Sequence, residues 1–538
     1  PDPDAAVELY NYTNPRIADW PEAEFIVGNP PFVSARELRS EFGDGYVEAL
    51  GRAYPTVDKN VDFVVYFWFR ALTEELRTTA IAFVATSRLR MQQNNKVFAA
   101  ALAHAKRYVS FAIPDHKWPS EKGSAAVRIC VANAVRKKPT NSRILITPDH
   151  DQTSGREIPD DLYWSKTSIK YVEYISSDLN THEKLATVTT LESNSMLGSA
   201  GVKPYSQGFL AAPPSVDSEL VKSYANGHVI GQNKQLRSIV DANSLSEVQL
   251  SELYPKTYQY LYNHVKPRRD YERNDRLRKF WWRYEANRDE MREAISNIGR
   301  YFVTLENSPR RYFVSLNNAI LPDQKLRIVA LDCWKFLAVL SSKPHEQWSV
   351  ARGGRAGKAN TPVYNSRCFD TFPFPATVTD DSDFALQQRL ADLGERLDAF
   401  REERLAKHDF LTMTGLYNVL ERVRELEWAG RGIKTEPPPS VAKVDGLASR
   451  AAPRPSDPAT RGESGGVKPL TDAERDIYEA GLIAVLKEIH DEIDRAVFEA
   501  YGWQDLGEKL VGRSGATMPS PYKSEEQKAA EEELLSRL

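Results

Sequence analysis

From residue 1 to about 140 the chain alternates short apolar runs with stretches of helical period. Phe25-Ile26-Val27-Gly28 is an aromatic and β-branched run of strand length, and helical patterns follow over Glu37–Tyr54 and Asp62–Arg77. Ala80–Ala85 reads as a strand, Asn95–Ala105 as a helix, and Tyr108–Ala112 and Ala125–Ala132 as strands. This alternation predicts an α/β fold with a parallel, doubly wound sheet. Residues 141 to about 376 mix short strands, polar loops and one strongly basic section, which predicts an α+β region. Phe384–Trp428 is helical in pattern, Glu436–Pro469 reads as a flexible linker with its Pro437-Pro438-Pro439 run and Gly465-Gly466, and Leu470–Trp503 is an amphipathic helix. The expected divisions are 1–145, 146–376, 377–430, a linker at 431–469 and a helical 470–538. No internal repeat is evident.

Directly after the first apolar run stands Asn29-Pro30-Pro31-Phe32. Gly28 permits a tight turn, and two consecutive prolines cannot continue a ladder, so the strand must end there. The result is a stiff loop at the C-terminal edge of a strand, where open α/β sheets bind ligands. An exocyclic amino group on a base is a poor nucleophile because its lone pair is delocalised into the ring. Two acceptors on its two N–H bonds favour a pyramidal nitrogen and return that lone pair. The Asn29 side-chain oxygen and the Pro30 carbonyl form such a pair, and Phe32 supplies a ring on which a flipped base can stack. The bland alternative is a rigid turn carrying one buried Phe.

Composition narrows the remaining classes. With 538 residues, 41% hydrophobic and 27% charged, the chain has the composition of an ordinary multidomain soluble protein. A net charge of −3 gives no global attraction to nucleic acid, so such binding requires a local basic face. Cys130, Cys333 and Cys368 lie far apart, which suits a reducing cytoplasm and argues against a disulfide framework or a zinc site. The nine histidines show no metal spacing, apolar runs such as Val61–Phe69 are too short to span a bilayer, and no signal peptide is visible. The chain opens at Pro1 and stops inside an acidic, helix-forming run, which reads as a fragment of a longer polypeptide.

Trp118-Pro119, in a polar loop between two predicted strands, could supply the second stacking face for a base held by Phe32, or merely cover the sheet's rim. Asp62 and Thr86-Ser87 sit at element edges near the same rim and could simply be caps. His264–Arg283 carries eight Lys or Arg (Lys266, Arg268, Arg269, Arg273, Arg276, Arg278, Lys279 and Arg283) against three acids, with Tyr271, Phe280, Trp281 and Trp282 interleaved. That density suits phosphate contacts, although charge runs are often only solvated faces. Arg310-Arg311 and the Arg352–Lys358 loop extend the basic character. The loop lacks a Gly-Lys-Ser/Thr ending, which argues against a nucleotide phosphate loop.

Taken together, these motifs resemble a known family, the MmeI-like restriction–modification and phage-defence methyltransferases that act on adenine N6 in DNA. The likeness runs in order through Ile26–Phe32, Leu38–Ser40, Gly43–Tyr46, Lys203–Phe209, Leu253–Pro255, Val265–Asp270 and Phe280–Trp282. It continues through Leu321–Asp323, Val339–Ser342, Tyr364–Phe369, Phe372–Pro375, Thr414–Asn418 and Ala500–Trp503. The resemblance implies that 1–145 is the C-terminal part of a doubly wound, Rossmann-like methyltransferase sheet, that 146–376 is a target-recognition domain, and that the later helices scaffold DNA. It further implies S-adenosylmethionine as methyl donor with its glycine-rich motif upstream of this chain, direct displacement without metal, duplex DNA with a flipped adenine as partner, and a fused or separate nuclease. Asn29 and Pro30 match the positions that accept from the target amino group, Pro31 completes the loop, Phe32 matches the stacking aromatic and Trp118 the second one. Thr86–Arg90 departs from the pattern expected there and is assigned no role. A competing reading is a non-catalytic DNA-recognition module serving a separate nuclease; a protein or RNA methyltransferase is a third.

Overall fold

The computed structural model describes residues 12–73, 78–90, 92–117, 128–146, 167–173, 175–179, 191–204, 206–356, 361–380, 382–428, 468–518, 520 and 523–538. The chain divides into two units, Pro1–Thr189 and Thr190–Leu538.

The first unit is built on β1 (Phe25–Gly28), α1 (Leu38–Ala53), α2 (Phe63–Thr73), β2 (Ala80–Thr86), α3 (Gln92–His104), β3 (Tyr108–Lys117), β4 (Arg128–Val135), β5 (Ser142–Ile146) and β6 (Ser168–Val172). One sheet holds all six strands in the order β1-β2-β4-β3-β5-β6. β1 pairs with β2, and β3 with β5, in parallel. β4 runs antiparallel to both β2 and β3, and β6 antiparallel to β5. The sheet is therefore mixed rather than parallel, which corrects the expectation. Only residues 118–127 separate β3 from β4, too short a connection for the crossover of a dozen or more residues that a parallel pair needs.

The core explains the helices. α2 is apolar nearly all round, and Phe63, Val64, Val65, Tyr66, Trp68, Ala71 and Leu72 are buried. Trp68 meets Phe83 of β2 edge-on at 5.0 Å and Phe98 of α3 at 4.7 Å, so the strand and both helices share one aromatic cluster. Full burial of each such ring contributes about 2–3 kcal/mol. Gly28 stays inside β1, opposite Phe83. A Cβ there would crowd the Phe83 ring at 3.3 Å, so close approach rather than a turn accounts for this glycine. At the edge of the sheet, β1 leaves Phe25 59% and Val27 78% exposed.

The second unit contains β7 (Gly198–Ala200), β8 (Val221–Ala225), β9 (Arg237–Val240), α4 (Glu247–Leu253), α5 (Pro255–His264), α6 (Lys266–Arg269) and α7 (Asp275–Lys279). β10 (Arg300–Leu305), β11 (Val314–Asn317), β12 (Ile320–Pro322) and β13 (Leu326–Val329) complete two small sheets, β11-β10-β13-β7 and β12-β8-β9. The helical part holds α8 (Phe384–Lys407), α9 (Met413–Trp428), α10 (Asp472–Ala480) and α11 (Ile483–Tyr501). Leu470–Trp503 is thus two helices, interrupted where Leu482 adopts a left-handed φ of 46° after Gly481. Of the expected linker at 431–469, residues 431–467 lie outside the described residues. Among the described residues no helix is long and apolar enough to cross a membrane.

Candidate active site and nucleic-acid interface

Asn29 follows the last residue of β1 and is exposed, while Pro30 behind it is buried and Phe32 is half-buried. The Asn29 side-chain amide has no hydrogen-bond partner among the described residues. A polar amide held at a sheet's rim by a stiff backbone, and committed to nothing internal, is free to serve a ligand.

The loop is fastened on both sides. Before it, Gly28 is in register with Phe83. After it, the Val33 carbonyl accepts from the Phe63 N–H at 2.9 Å, and the Ala35 N–H donates to Asp62 Oδ1 at 3.0 Å. Ser34 donates through its hydroxyl to Glu37 at 2.7 Å, which holds that exposed carboxyl below its ordinary range. Asp62 is buried and pairs with Asn94 of α3 and with Arg88 in the Ser87–Arg90 turn that follows β2. Asn94 was not legible as a site residue: it stands in a polar run at a helix start, and only the fold brings it to Asp62. Trp118 lies outside the described residues. Among the described residues no group of three or more His, Cys, Asp or Glu is arranged to hold a metal ion.

The basic section divides into interior and surface cations. Arg269 is 1% exposed and donates to the carbonyls of Pro204 at 3.3 Å and Arg283 at 3.1 Å. It is a structural residue, and its expected role as a DNA contact is corrected on that ground, since a phosphate cannot reach it. Arg283 is half-buried, donates to the Leu245 carbonyl at 2.9 Å and lies over the rings of Phe280 and Trp282 at 5.2 and 5.6 Å. Trp281 and Trp282 are buried, with their indole N–H groups donating to Glu247 and to the Leu245 carbonyl, each at 3.0 Å.

The other cations stay at the surface. Lys266 pairs with Asp270 at 2.8 Å, which raises its pKa, and it lies over the Tyr262 ring at 5.6 Å. Arg276 donates to the Glu285 carbonyl, and Arg278 to Asp275 and to the Glu272 carbonyl. Arg268, Arg273 and Lys279 are exposed, as is Tyr271 at 90%. Exposed ion pairs are worth only about 0–1 kcal/mol, so a phosphate can displace them. Arg311 joins the interior group, buried with its guanidinium on Thr304, the Leu305 carbonyl and the Tyr364 ring.

Residues 7–147 match the family profile described as the DNA-methyltransferase domain of MmeI. Over that section the chain is an MmeI-like methyltransferase domain, and the resemblance read from its motifs is borne out. Among solved structures the chain is similar to the type IIL restriction–modification enzyme MmeI in complex with DNA, at 14% identity and a TM-score of 0.59, covering 89% of this chain and 54% of that one. The chain thus spans about half the length of that structure, and the likeness is one of fold. The type IIG restriction endonuclease BpuSI (12% identity, 89% of this chain and 54% of that one, TM-score 0.24) superposes too loosely to add to this. So does a DrdV–DNA complex (11%, 70% and 44%, TM-score 0.32). No curated protein matches the sequence.

Proposed function

We propose that this chain is the catalytic-loop and target-recognition part of a restriction–modification DNA methyltransferase, cytoplasmic and acting on adenine N6 in duplex DNA. The observation that carries the reading is the uncommitted Asn29 amide at the end of β1, inside a section matching a DNA-methyltransferase family. Asn29 Oδ1 and the Pro30 carbonyl accept the two N–H bonds of a flipped adenine, and Phe32 stacks on its ring. Catalysis then rests on positioning and on acceptors aimed where the amino nitrogen pyramidalises, without a general base of shifted pKa. The surface cations of 266–283 hold the DNA backbone.

S-adenosylmethionine supplies an electrophilic methyl group in such a reaction. This sequence contains no glycine before Gly28, and the described residues 12–24 form neither helix nor strand. The residues present therefore fit the acceptor's rim and not the donor's cradle. β1 is the end strand of its sheet, and its outer edge suits a further strand carrying that cradle.

The deciding experiment sequences methylated bases in DNA from cells expressing the full-length gene, wild type and Asn29→Ala. N6-methyladenine at one recurrent sequence, lost in Asn29→Ala, is expected; no methylation by the wild type leaves the recognition-module reading.

A further inference from the structure

An aspartate at the start of a helix ordinarily caps it, accepting from the first backbone N–H groups. Asp62, immediately before α2, spends its carboxylate elsewhere. Oδ1 accepts from the Ala35 N–H at 3.0 Å and from the Arg88 guanidinium at 3.3 Å, and Oδ2 accepts from Asn94 Nδ2 at 2.9 Å. Asn94 answers reciprocally: its Oδ1 accepts from the Asp62 N–H at 2.9 Å, and its Nδ2 also reaches the Arg88 carbonyl at 3.2 Å. Asp62 is 4% and Asn94 6% exposed. A charge so deeply buried is tolerable only because each oxygen is used and a guanidinium faces it.

We propose that Asp62 and Asn94 are positioning residues that set the acceptor loop, a claim whose functional half rests on the methyl-transfer reading above. Two consecutive prolines stiffen residues 29–32 internally, but they do not aim the segment relative to the sheet. Its aim comes from its ends. Gly28 is fixed by the β1–β2 register, and the far end is fixed by Val33 on the Phe63 N–H and Ala35 on Asp62. The Pro30 carbonyl, a backbone acceptor with no rotamer of its own, points only where those two anchors let it. Releasing the Ala35 anchor leaves the loop chemically intact and misdirected, and a displacement of about 1 Å costs on the order of a hundredfold in rate. Arg88, whose side chain is 52% exposed, faces the buried carboxylate at 3.3 Å in a position no helix-capping role requires.

The test uses the full-length protein, radiolabelled S-adenosylmethionine and unmethylated genomic DNA as the probe, with hydrogen–deuterium exchange of the 29–37 segment measured in parallel. Asp62→Ala is expected to lower kcat about a hundredfold with KM for DNA within about twofold, and to speed exchange at Ala35 at least about tenfold. In Asp62→Asn with Asn94→Asp, the donor and acceptor of the side-chain pair trade places, while the side-chain oxygen at position 62 still accepts from Ala35. This exchange is expected to recover activity to within about tenfold of wild type. Unchanged exchange at Ala35 in Asp62→Ala overturns the clamp whether or not the protein methylates. Faster exchange with normal kcat overturns its positioning role. Loss of transfer in every protein, wild type included, sinks the functional reading instead, and exchange still decides the clamp.

Discussion

The Asn29 loop and the basic section at 266–283 both look, along the sequence, like chemistry placed at a surface. They differ in what the fold does with them. In the loop the proposed acceptor, Asn29, stays outside, while the acidic residue behind it, Asp62, is buried as a fastening. In the basic section, Arg269 and most of Arg283, with Trp281 and Trp282, are taken inward to satisfy carbonyls and fill the core. The contrast teaches that a stiff local motif announces its own exposure, whereas a run of like charges does not announce which of its members remain outside. Proline restricts the backbone locally and at once; an arginine's fate depends on which carbonyls the tertiary structure leaves unpaired.

That contrast gives predictions that can break it. The largest effect belongs to Asn29→Ala, expected to cut methyl transfer at least about a hundredfold while changing stability by less than about 0.5 kcal/mol; a marked drop in melting temperature would show Asn29 to be structural. Arg269→Ala should act in the opposite way, destabilising the second unit by about 3 kcal/mol because buried carbonyls lose a charged donor. Chemical denaturation of that variant beside Arg273→Ala, expected within about 0.5 kcal/mol of wild type, measures the difference directly. Removing two exposed cations together, Arg273→Ala with Lys279→Ala, should leave stability intact and flatten the dependence of log affinity for duplex DNA on log salt by about 0.9 per cation. An unchanged slope would mean that this surface does not meet phosphate.

A pH prediction sharpens the interior side of the comparison. His345 is buried between the Leu340 carbonyl and the Tyr364 hydroxyl, and desolvation lowers its pKa to about 3. The unfolded chain therefore binds this proton first, near pH 6.5, so the stability it contributes is full above that pH and falls as pH drops toward 3. Between pH 7 and 5 the loss is about 2 kcal/mol. Asp494, whose buried carboxyl is raised to about 6, works in the other direction, so the test is a difference. His345→Gln should be less stable than wild type at pH 7, with that gap narrowing by about 2 kcal/mol at pH 5 in urea unfolding.

Much of the first unit was legible because its signals are local. The Phe25–Gly28 and Ala80–Ala85 runs, the α1 and α3 helices and the exposure of Asn29 follow from period, length and proline. The direction of β4 was not, since an apolar run of that length pairs equally well either way and only the length of its connection decides. Nor was the break at Gly481-Leu482, because the amphipathic pattern continues through it.

What the sequence alone determined, then, is where the chain must stiffen, where strands end and which side chains are able to accept from an amino group. Those properties belong to single residues and their immediate neighbours. Tertiary structure decided the rest: that Asp62 meets Ala35 and Asn94, that Arg269 serves carbonyls, and that Arg401, Tyr417 and His490 join in one buried chain of hydrogen bonds between α8, α9 and α11. Each of these is a polar group desolvated by folding, and a desolvated group takes whichever partner the packing delivers, however far away in sequence.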